Sequence, residues 1–157
     1  MLNQGENDMK DIERQFEIIK KNTVDVIEEA ELKKKLERSI STGKPLRVKY
    51  GIDPTSPEIH IGHMVVIRKL REFQDLGHKV FFLIGDFTAR IGDPTGRNET
   101  RPILSIEEIK RNLTTYVEQV SKILDVNKAE FVYNGNWTTI YIYIRLLRLS
   151  LPWIICW

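Results

Sequence analysis

Two short apolar segments on either side of one amphipathic segment constrain the fold of this chain more than any other feature. Residues 46–52 are predicted to form a strand, which ends at a loop containing two prolines. Residues 62–76 have helical spacing and end at Gly77; their apolar positions are Val66, Ile67, Leu70 and Phe73. Residues 80–84 are continuously apolar, which is typical of a strand buried on both faces. This order predicts a parallel sheet with a right-handed crossover.

Two helices are expected before the first strand. Residues 10–20 carry apolar side chains at helical spacing. A second helix is predicted over residues 24–40, with Asn22 or Thr23 as its N-cap and Gly43 as its stop. Because the outer faces of both helices are charged, we expect them to form a solvated lead-in.

A capping box begins the last predicted helix. Ser105 and Glu108 are three residues apart and precede a helix expected to run to about residue 124. Its apolar face consists of Ile106, Ile109, Leu113, Val117, Val120 and Leu124. A polar loop is expected from residue 85 to about 102, and a third strand at 131–133. The predicted class is α/β: a Rossmann-like, doubly wound parallel sheet, incomplete and preceded by two helices, with its binding crevice at the carboxyl ends of the strands.

Composition argues against several classes of protein. The 157 residues carry a formal net charge of +2, which does not by itself indicate nucleic acid as a partner. The single cysteine, Cys156, cannot form a disulfide within the chain, which fits a reducing cytoplasm. The N-terminus is acidic and lacks the apolar stretch of a secretory signal. Residues 138–157 are mostly apolar, but two arginines and a proline interrupt them, so no membrane span is expected.

The loop after the first predicted strand carries a motif suited to phosphate. His60 and His63 flank Gly62 and are three residues apart, which puts both on one face of the first helical turn. The helix N-terminus offers free N–H groups and a partial positive charge, and Gly62 allows a phosphate or a base to approach the backbone. Two imidazoles can donate hydrogen bonds to phosphate oxygens as charge develops in a transition state. No third ligand is near, so no metal site is expected.

A second polar motif follows the second predicted strand and opens into the same crevice. Asp93 lies between two glycines, which let the backbone turn and expose a carboxylate able to hold an ammonium group. Arg97 and Arg101 are in a position to reach a polyphosphate. A turn with solvated charges is the competing interpretation, and the position opposite the first motif favours a binding function.

These motifs resemble those of a known family. Residues 51–63, Gly-Ile-Asp-Pro-Thr-Ser-Pro-Glu-Ile-His-Ile-Gly-His, resemble the first signature of class I aminoacyl-tRNA synthetases. Residues 74–78 and 83–97 narrow the resemblance to the bacterial tyrosyl-tRNA synthetases, from about residue 10 to Trp137. The resemblance implies activation of tyrosine by ATP with Mg²⁺, transfer of the tyrosyl group to tRNA(Tyr), and a homodimer.

The resemblance also implies a role for each matched residue. His60, His63 and Thr55 would stabilise the adenylation transition state. Arg97 and Arg101 would belong to a mobile loop that closes over pyrophosphate. Thr88 and Asp93 would hold the ammonium group of tyrosine. The residues implied in ATP binding are Gly51, Asp53, Pro54, Thr55, His60, Gly62 and His63.

Three regions are therefore expected along the chain. Residues 1–45 form a helical lead-in, residues 46–137 the N-terminal half of a class I catalytic domain, and residues 138–157 an atypical apolar tail, interpreted as a frameshifted or truncated end. The later pocket helix, the Lys-Met-Ser-Lys-Ser loop and the anticodon-binding domain have no match, so we expect little or no activity from the chain alone. The alternatives are a small nucleotidyltransferase with a His-x-Gly-His turn and a non-catalytic remnant.

Overall fold

The computed structural model describes residues 4–54, 56–91 and 105–137. In chain order the elements of this part are α1 Gln4–Lys20, α2 Glu29–Thr42, β1 Arg47–Ile52, α3 Ile61–Asp75, β2 Lys79–Ile84, α4 Thr88–Ile91, α5 Ile106–Ser121 and β3 Ala129–Tyr133. The predictions for Thr55, residues 92–104 and residues 138–157 lie outside the described residues. None of the helices in the described ranges combines the length and the apolar character that a membrane crossing requires.

The three strands form one parallel sheet in the order β1-β2-β3. Ile52 lies opposite Ile84, and Ile84 lies opposite Tyr133, so the three strands end side by side. α3 connects β1 to β2, and α5 lies between β2 and β3 in the chain. The predicted α/β class, with an incomplete Rossmann-like parallel sheet, is confirmed. The carboxyl ends of the strands share one edge, where sheets of this kind bind ligands.

The main core lies between one face of the sheet and the helices α3 and α5. It consists of Ile52, Ile67, Leu70, Val80, Phe82, Ile84, Tyr116, Val120 and Leu124. The expected burial of β2 on both faces is wrong, because Phe81 and Leu83 are only half-buried. Both helices, α3 and α5, pack on the face of the sheet that carries Val80, Phe82 and Ile84. Successive side chains of a strand alternate between faces, so Phe81 and Leu83 lie on the opposite face. Val66 also differs from expectation: it is 38% exposed, at the margin of the buried stripe formed by Ile67 and Leu70.

α2 begins later than the sequence predicts. It starts at Glu29 rather than at residue 24, and its N-cap residue, Glu28, has a left-handed backbone with φ 59° and no side-chain cap. Val24 and Ile27 are 107% and 86% exposed, so they have no apolar surface against which a helical turn could pack. The predicted stop is confirmed, since Gly43 adopts φ 64° and donates its N–H to Ile40 O.

The capping box of α5 is confirmed. Ser105 Oγ accepts a hydrogen bond from the Glu108 N–H at 3.2 Å, and Glu108 Oε2 accepts from the Ser105 N–H at 2.8 Å. The bond from the Ser105 backbone is the main reason that the pKa of Glu108 lies below its usual value. The helix ends at Ser121, about one turn before the predicted residue 124.

The two N-terminal helices pack together rather than forming a merely solvated lead-in. Their small core consists of Phe16, Ile19 and Leu36, bordered by Phe73 and Leu76 of the α3 region. Lys69 of α3 donates to Ile18 O at 3.2 Å and to Lys21 O at 2.7 Å, at the carboxyl end of α1. A cation at this position also stabilises the helix dipole. The expectation of a solvated lead-in is therefore wrong for the inner faces of α1 and α2.

His78 lies buried just before β2, with 7% of its surface exposed. Its Nδ1 accepts a hydrogen bond from the Leu46 N–H at 3.3 Å, so the neutral ring carries its proton on Nε2. Among the described residues that buried Nε2 has no hydrogen-bond partner. Burial lowers the pKa of His78, and the negative charge of Asp11 opposes this effect.

We expect acidification to destabilise the chain through His78. The pKa of His78 is lower in the folded chain than in the unfolded chain, where it is about 6.5. The neutral buried ring therefore contributes its full share of the folding stability above about pH 6.5, and this share is lost as the pH falls towards the folded pKa. Urea unfolding followed by circular dichroism between about pH 7.5 and about pH 5.5 should show a falling midpoint. His78→Gln should make the fall smaller. An equal fall in both proteins would contradict the assignment.

Candidate functional site

The carboxyl ends of β1 and β2 are joined by a backbone hydrogen bond. The Gly85 N–H donates to Ile52 O at 2.9 Å, next to the last paired residues of the two strands. The loops that carry the two sequence motifs therefore begin side by side. This placement is what a common binding crevice requires.

A chain of side-chain hydrogen bonds links these loops. Thr88 donates its hydroxyl to Asp53 Oδ1 at 2.7 Å and accepts from Asn134 Nδ2 at 3.0 Å. Asn134 Oδ1 in turn accepts from the Phe87 N–H at 2.9 Å. A Cβ on Gly85 would overlap both Asp53 Oδ1 and Thr88 Oγ1, so only glycine leaves room for this pair. The carboxylate of Asp53, a residue implied in ATP binding, is thus part of the framework at this edge.

Asp86 fixes the end of β3 at the same edge. Its Oδ1 accepts a hydrogen bond from the Gly135 N–H at 2.8 Å, and a Cβ on Gly135 would lie 2.7 Å from Asp86 Oδ2. Sequence reasoning assigned no role to Asp86 or Asn134. The available signal was their position, since each is a polar residue within two positions of the end of a predicted strand.

α3 begins with His60 as its N-cap. The backbone of His60 is extended, with φ −80° and ψ 167°, and its Nδ1 accepts from the Gly62 N–H at 3.1 Å. His60 O accepts from the His63 N–H at 3.0 Å. The expectation that the first N–H groups of this helix are free for a ligand is therefore wrong for Gly62 and His63. A Cβ on Gly62 would lie 3.0 Å from His60 Cε1, so this glycine makes room for the capping imidazole.

The rings of His60 and His63 stack on each other. Their centroids are 3.7 Å apart and their planes differ by 22°, as their three-residue spacing allows. Burial, followed by the effect of His60, lowers the pKa of His63, which favours the neutral form of this ring. The cap occupies His60 Nδ1, which leaves Nε2 as the donor that this ring can offer. The pair can therefore donate hydrogen bonds to an anion without holding two like charges in contact.

The structure brings some of the predicted site residues together and leaves others apart. His60, Gly62 and His63 form one cluster, and Asp53 and Thr88 are bonded to each other. Gly51 is exposed on β1, and Pro54 is buried. Thr55, Asp93, Arg97 and Arg101 lie outside the described residues. Within the described ranges, no group of three or more His, Cys, Asp or Glu side chains is arranged to hold a metal ion.

Residues 40–154 match the family model for class I tRNA synthetases of the tryptophan and tyrosine type. This match covers most of the chain, and the chain therefore belongs to that family. It extends past Trp137, where the resemblance in the sequence was expected to end, into the apolar tail.

Within that family the similarity is to bacterial tyrosine–tRNA ligases. The ligase of Chlorobium luteolum is 52% identical over 139 residues, which are 88% of this chain and 34% of that protein. The ligase of Bdellovibrio bacteriovorus is 59% identical over 125 residues, which are 80% of this chain and 31% of that protein. The chain thus spans about a third of the length of these curated relatives.

Solved structures share the fold. The tyrosyl-tRNA synthetase of Archaeoglobus fulgidus, complexed with L-tyrosine, superposes with a TM-score of 0.66 at 25% identity, over 89% of this chain and 41% of that one. The tyrosyl-tRNA synthetase of Aeropyrum pernix also gives a TM-score of 0.66, at 22% identity. The helices and the parallel sheet thus have the arrangement found in part of these two solved chains.

Proposed function

We propose that this chain supplies ATP- and tyrosine-binding residues of a tyrosine–tRNA ligase, a cytoplasmic enzyme that works as a homodimer. The enzyme joins tyrosine to ATP as tyrosyl adenylate and transfers the tyrosyl group to tRNA(Tyr). The observation that carries the proposal is the stacked His60–His63 pair at the start of α3, directly after the first strand, in a chain of this family.

ATP binds, in this proposal, as its magnesium complex at the start of α3. The rings of His60 and His63 donate to phosphate oxygens, and the backbone of Gly51 and Asp53 lines the nucleotide. A Cβ on Gly51 would meet only ordinary contacts, the nearest 3.7 Å away on Leu83. The packing of the chain therefore does not require glycine there, and close approach of a nucleotide explains it. The other proposed contacts are Pro54, Thr55, Gly62, Arg97 and Arg101.

The ammonium group of tyrosine binds, in this proposal, to Asp93 with Thr88 beside it. The Thr88 hydroxyl already donates its proton to Asp53 and accepts from Asn134. A hydroxyl oxygen has two lone pairs, so Thr88 retains one with which to accept from an ammonium group. Its role towards tyrosine is therefore that of an acceptor held in place by its two neighbours.

MgATP should raise the unfolding temperature of the 157-residue chain, and His60→Ala or His63→Ala should remove most of that rise. At a ligand concentration of a hundred times Kd the expected stabilisation is about 2.7 kcal/mol. Differential scanning fluorimetry measures the rise, with GTP as the control ligand. His78→Gln is the matched control variant, because it removes the third histidine of the chain outside this site.

Equal rises in the wild-type chain and in both site variants would contradict the proposed ATP contacts. Tyrosine should also stabilise the chain, whereas stabilisation by a different acceptor would favour a small nucleotidyltransferase. Tyrosine-dependent exchange of pyrophosphate into ATP should be absent or slight for the chain alone. A rate close to that of a full-length ligase would show that the part of the relatives outside their match to this chain is dispensable for activation.

A further inference from the structure

α5 carries a polar row beside its apolar face. Asn112, Thr115 and Gln119 are spaced by three and four residues, so they lie on one side of the helix. We call these three residues the polar row. They face the loop between β1 and α3, far from them in sequence.

Each member of the polar row bonds to the backbone of that loop. Asn112 Nδ2 donates to Pro54 O at 2.9 Å. The Thr115 hydroxyl lies 2.7 Å from Pro57 O and 2.8 Å from Asn112 O, and donates its one proton to either. Side chains of α5 therefore satisfy two carbonyl groups of this loop, those of Pro54 and Pro57.

Among the polar row, Gln119 makes the contact nearest in sequence to the stacked His60–His63 pair. Its Nε2 donates to Pro57 O at 2.9 Å, and its Oε1 accepts from the Ile59 N–H at 2.9 Å. One amide group thus holds the backbone on both sides of Glu58. Ile59 directly precedes His60, so Gln119 fixes the chain where it enters α3.

In the described part of this loop, other side-chain hydrogen bonds join Thr88 to Asp53 and the Ser56 hydroxyl to Glu58 O, at 2.7 and 2.9 Å. Proline has no N–H to donate, and a loop with two prolines cannot pair as a strand. Pro54 and Asn112 are buried, so their polar groups would lack water if the bond between them were broken. His60 comes directly after Ile59, which Gln119 holds, and the capping bond of His60 depends on its extended backbone.

We propose that Asn112, Thr115 and Gln119 are positioning residues: through the loop backbone they hold His60 in its capping geometry and so hold the stacked His60–His63 pair. The inference rests on the proposed function only in assigning ATP as the ligand of that pair. Within the described residues no hydrogen bond joins a side chain of α5 to either histidine ring, so the effect of α5 on the pair passes through the Pro57–Ile59 backbone.

Nuclear magnetic resonance of the histidine rings tests this in the 157-residue chain, which has three histidines. Stacked rings with centroids 3.7 Å apart give strong nuclear Overhauser effects between His60 and His63. Gln119→Ala should abolish these effects and leave the signals of His78 unchanged. The matched control is Gln74→Ala, since Gln74 also bonds through both ends of its amide, to the Asp125 N–H and C=O at 3.0 Å each. The control should keep the ring contacts.

A second pair of variants decides the matter if Gln119→Ala does not fold. Thr115→Val removes the hydroxyl at nearly constant volume, and Thr115→Ser restores it. The ring contacts should weaken in Thr115→Val and return in Thr115→Ser. If Gln119→Ala folds and keeps the ring contacts, the inference is overturned. If Gln119→Ala does not fold, unchanged ring contacts in Thr115→Val overturn it. Loss of the contacts in Gln74→Ala as well would also overturn it, since the effect would then be general destabilisation.

The affinity for MgATP separates this inference from the proposed function. Titration calorimetry should show a Kd about tenfold weaker in Gln119→Ala than in the wild type, because the ligand must then order the histidine pair itself. If the wild type does not bind MgATP but the ring contacts still respond to Gln119→Ala, the proposed function fails and the positioning role stands. If MgATP binds equally to both while the ring contacts persist, the positioning role fails and the proposed function stands.

Discussion

Replacing Phe82 with alanine should lower the free energy of unfolding by about 3–5 kcal/mol. Phe82 is fully buried in the central strand, opposite Tyr50 on β1 and Phe131 on β3. Its ring centroid lies 5.5 Å from that of each neighbour, so three aromatic rings cross the sheet in one row. A loss of this size is a large part of the roughly 5–15 kcal/mol that stabilises a typical domain. Urea unfolding followed by circular dichroism measures it.

Phe81→Ala is the matched control, because it removes the same side chain one residue earlier on the other face. Phe81 is only half-buried, and its ring lies under the Arg47 guanidinium at 4.7 Å and the Lys79 ammonium at 5.1 Å. Its loss should cost about 1 kcal/mol. Equal losses for the two phenylalanines would mean that the core is not confined to the face covered by α3 and α5.

Replacing Gly85 with alanine should cost about 1–3 kcal/mol and separate Asp53 from Thr88. The new Cβ would occupy the space of the Asp53 carboxylate and the Thr88 hydroxyl, so both side chains must move. The bond from Asn134 Nδ2 to Thr88 Oγ1 is strained or broken at the same time. Urea unfolding gives the cost, and loss of MgATP-induced stabilisation would report the damage to the site.

Gly51→Ala is the control for this substitution. A Cβ on Gly51 meets only Leu83 and Lys49 side-chain atoms at 3.7–3.9 Å, so stability should hardly change. The proposed approach of the nucleotide to Gly51 should nevertheless weaken MgATP binding in this variant. Destabilisation of similar size in both glycine variants would show that the overlap at Gly85 is not the cause.

The strand–helix–strand unit was predictable because its signals are local. The apolar segment at 80–84, the stop at Gly77 and the capping box at Ser105 and Glu108 each determine their own few residues of backbone. The start of α2 was not predictable in this way. The apolar side chains of Val24 and Ile27 fit a helical pattern. Such a pattern forms a helix only when other parts of the fold pack against its apolar side, and both side chains are exposed.

Some features of the candidate site were likewise predictable from the local sequence, and others were not. The spacing of His60 and His63 predicts that their rings share a face, and the stacked rings do so. The bond from the Gly62 N–H into the His60 ring was not predicted, because it depends on the backbone angles at the helix start. Asn134 and Gln119 were also missed. Their partners lie 46 and 60 residues away in the chain, at Thr88 and Ile59, a distance that no local pattern encodes.

In the proposed site the imidazole of His60 has two separate functions, one structural and one in ligand binding. Its Nδ1 is a structural acceptor that completes the first turn of α3, while Nε2 remains for a ligand. Capping and the proposed ligand contact use different ring nitrogens, so a substitution can remove one without the other. Asparagine, whose side-chain oxygen is a good helix cap, would keep the cap but could not donate from the Nε2 position. The helix cap alone would accept a simpler side chain, so the proposed ligand contact accounts for a histidine at this position.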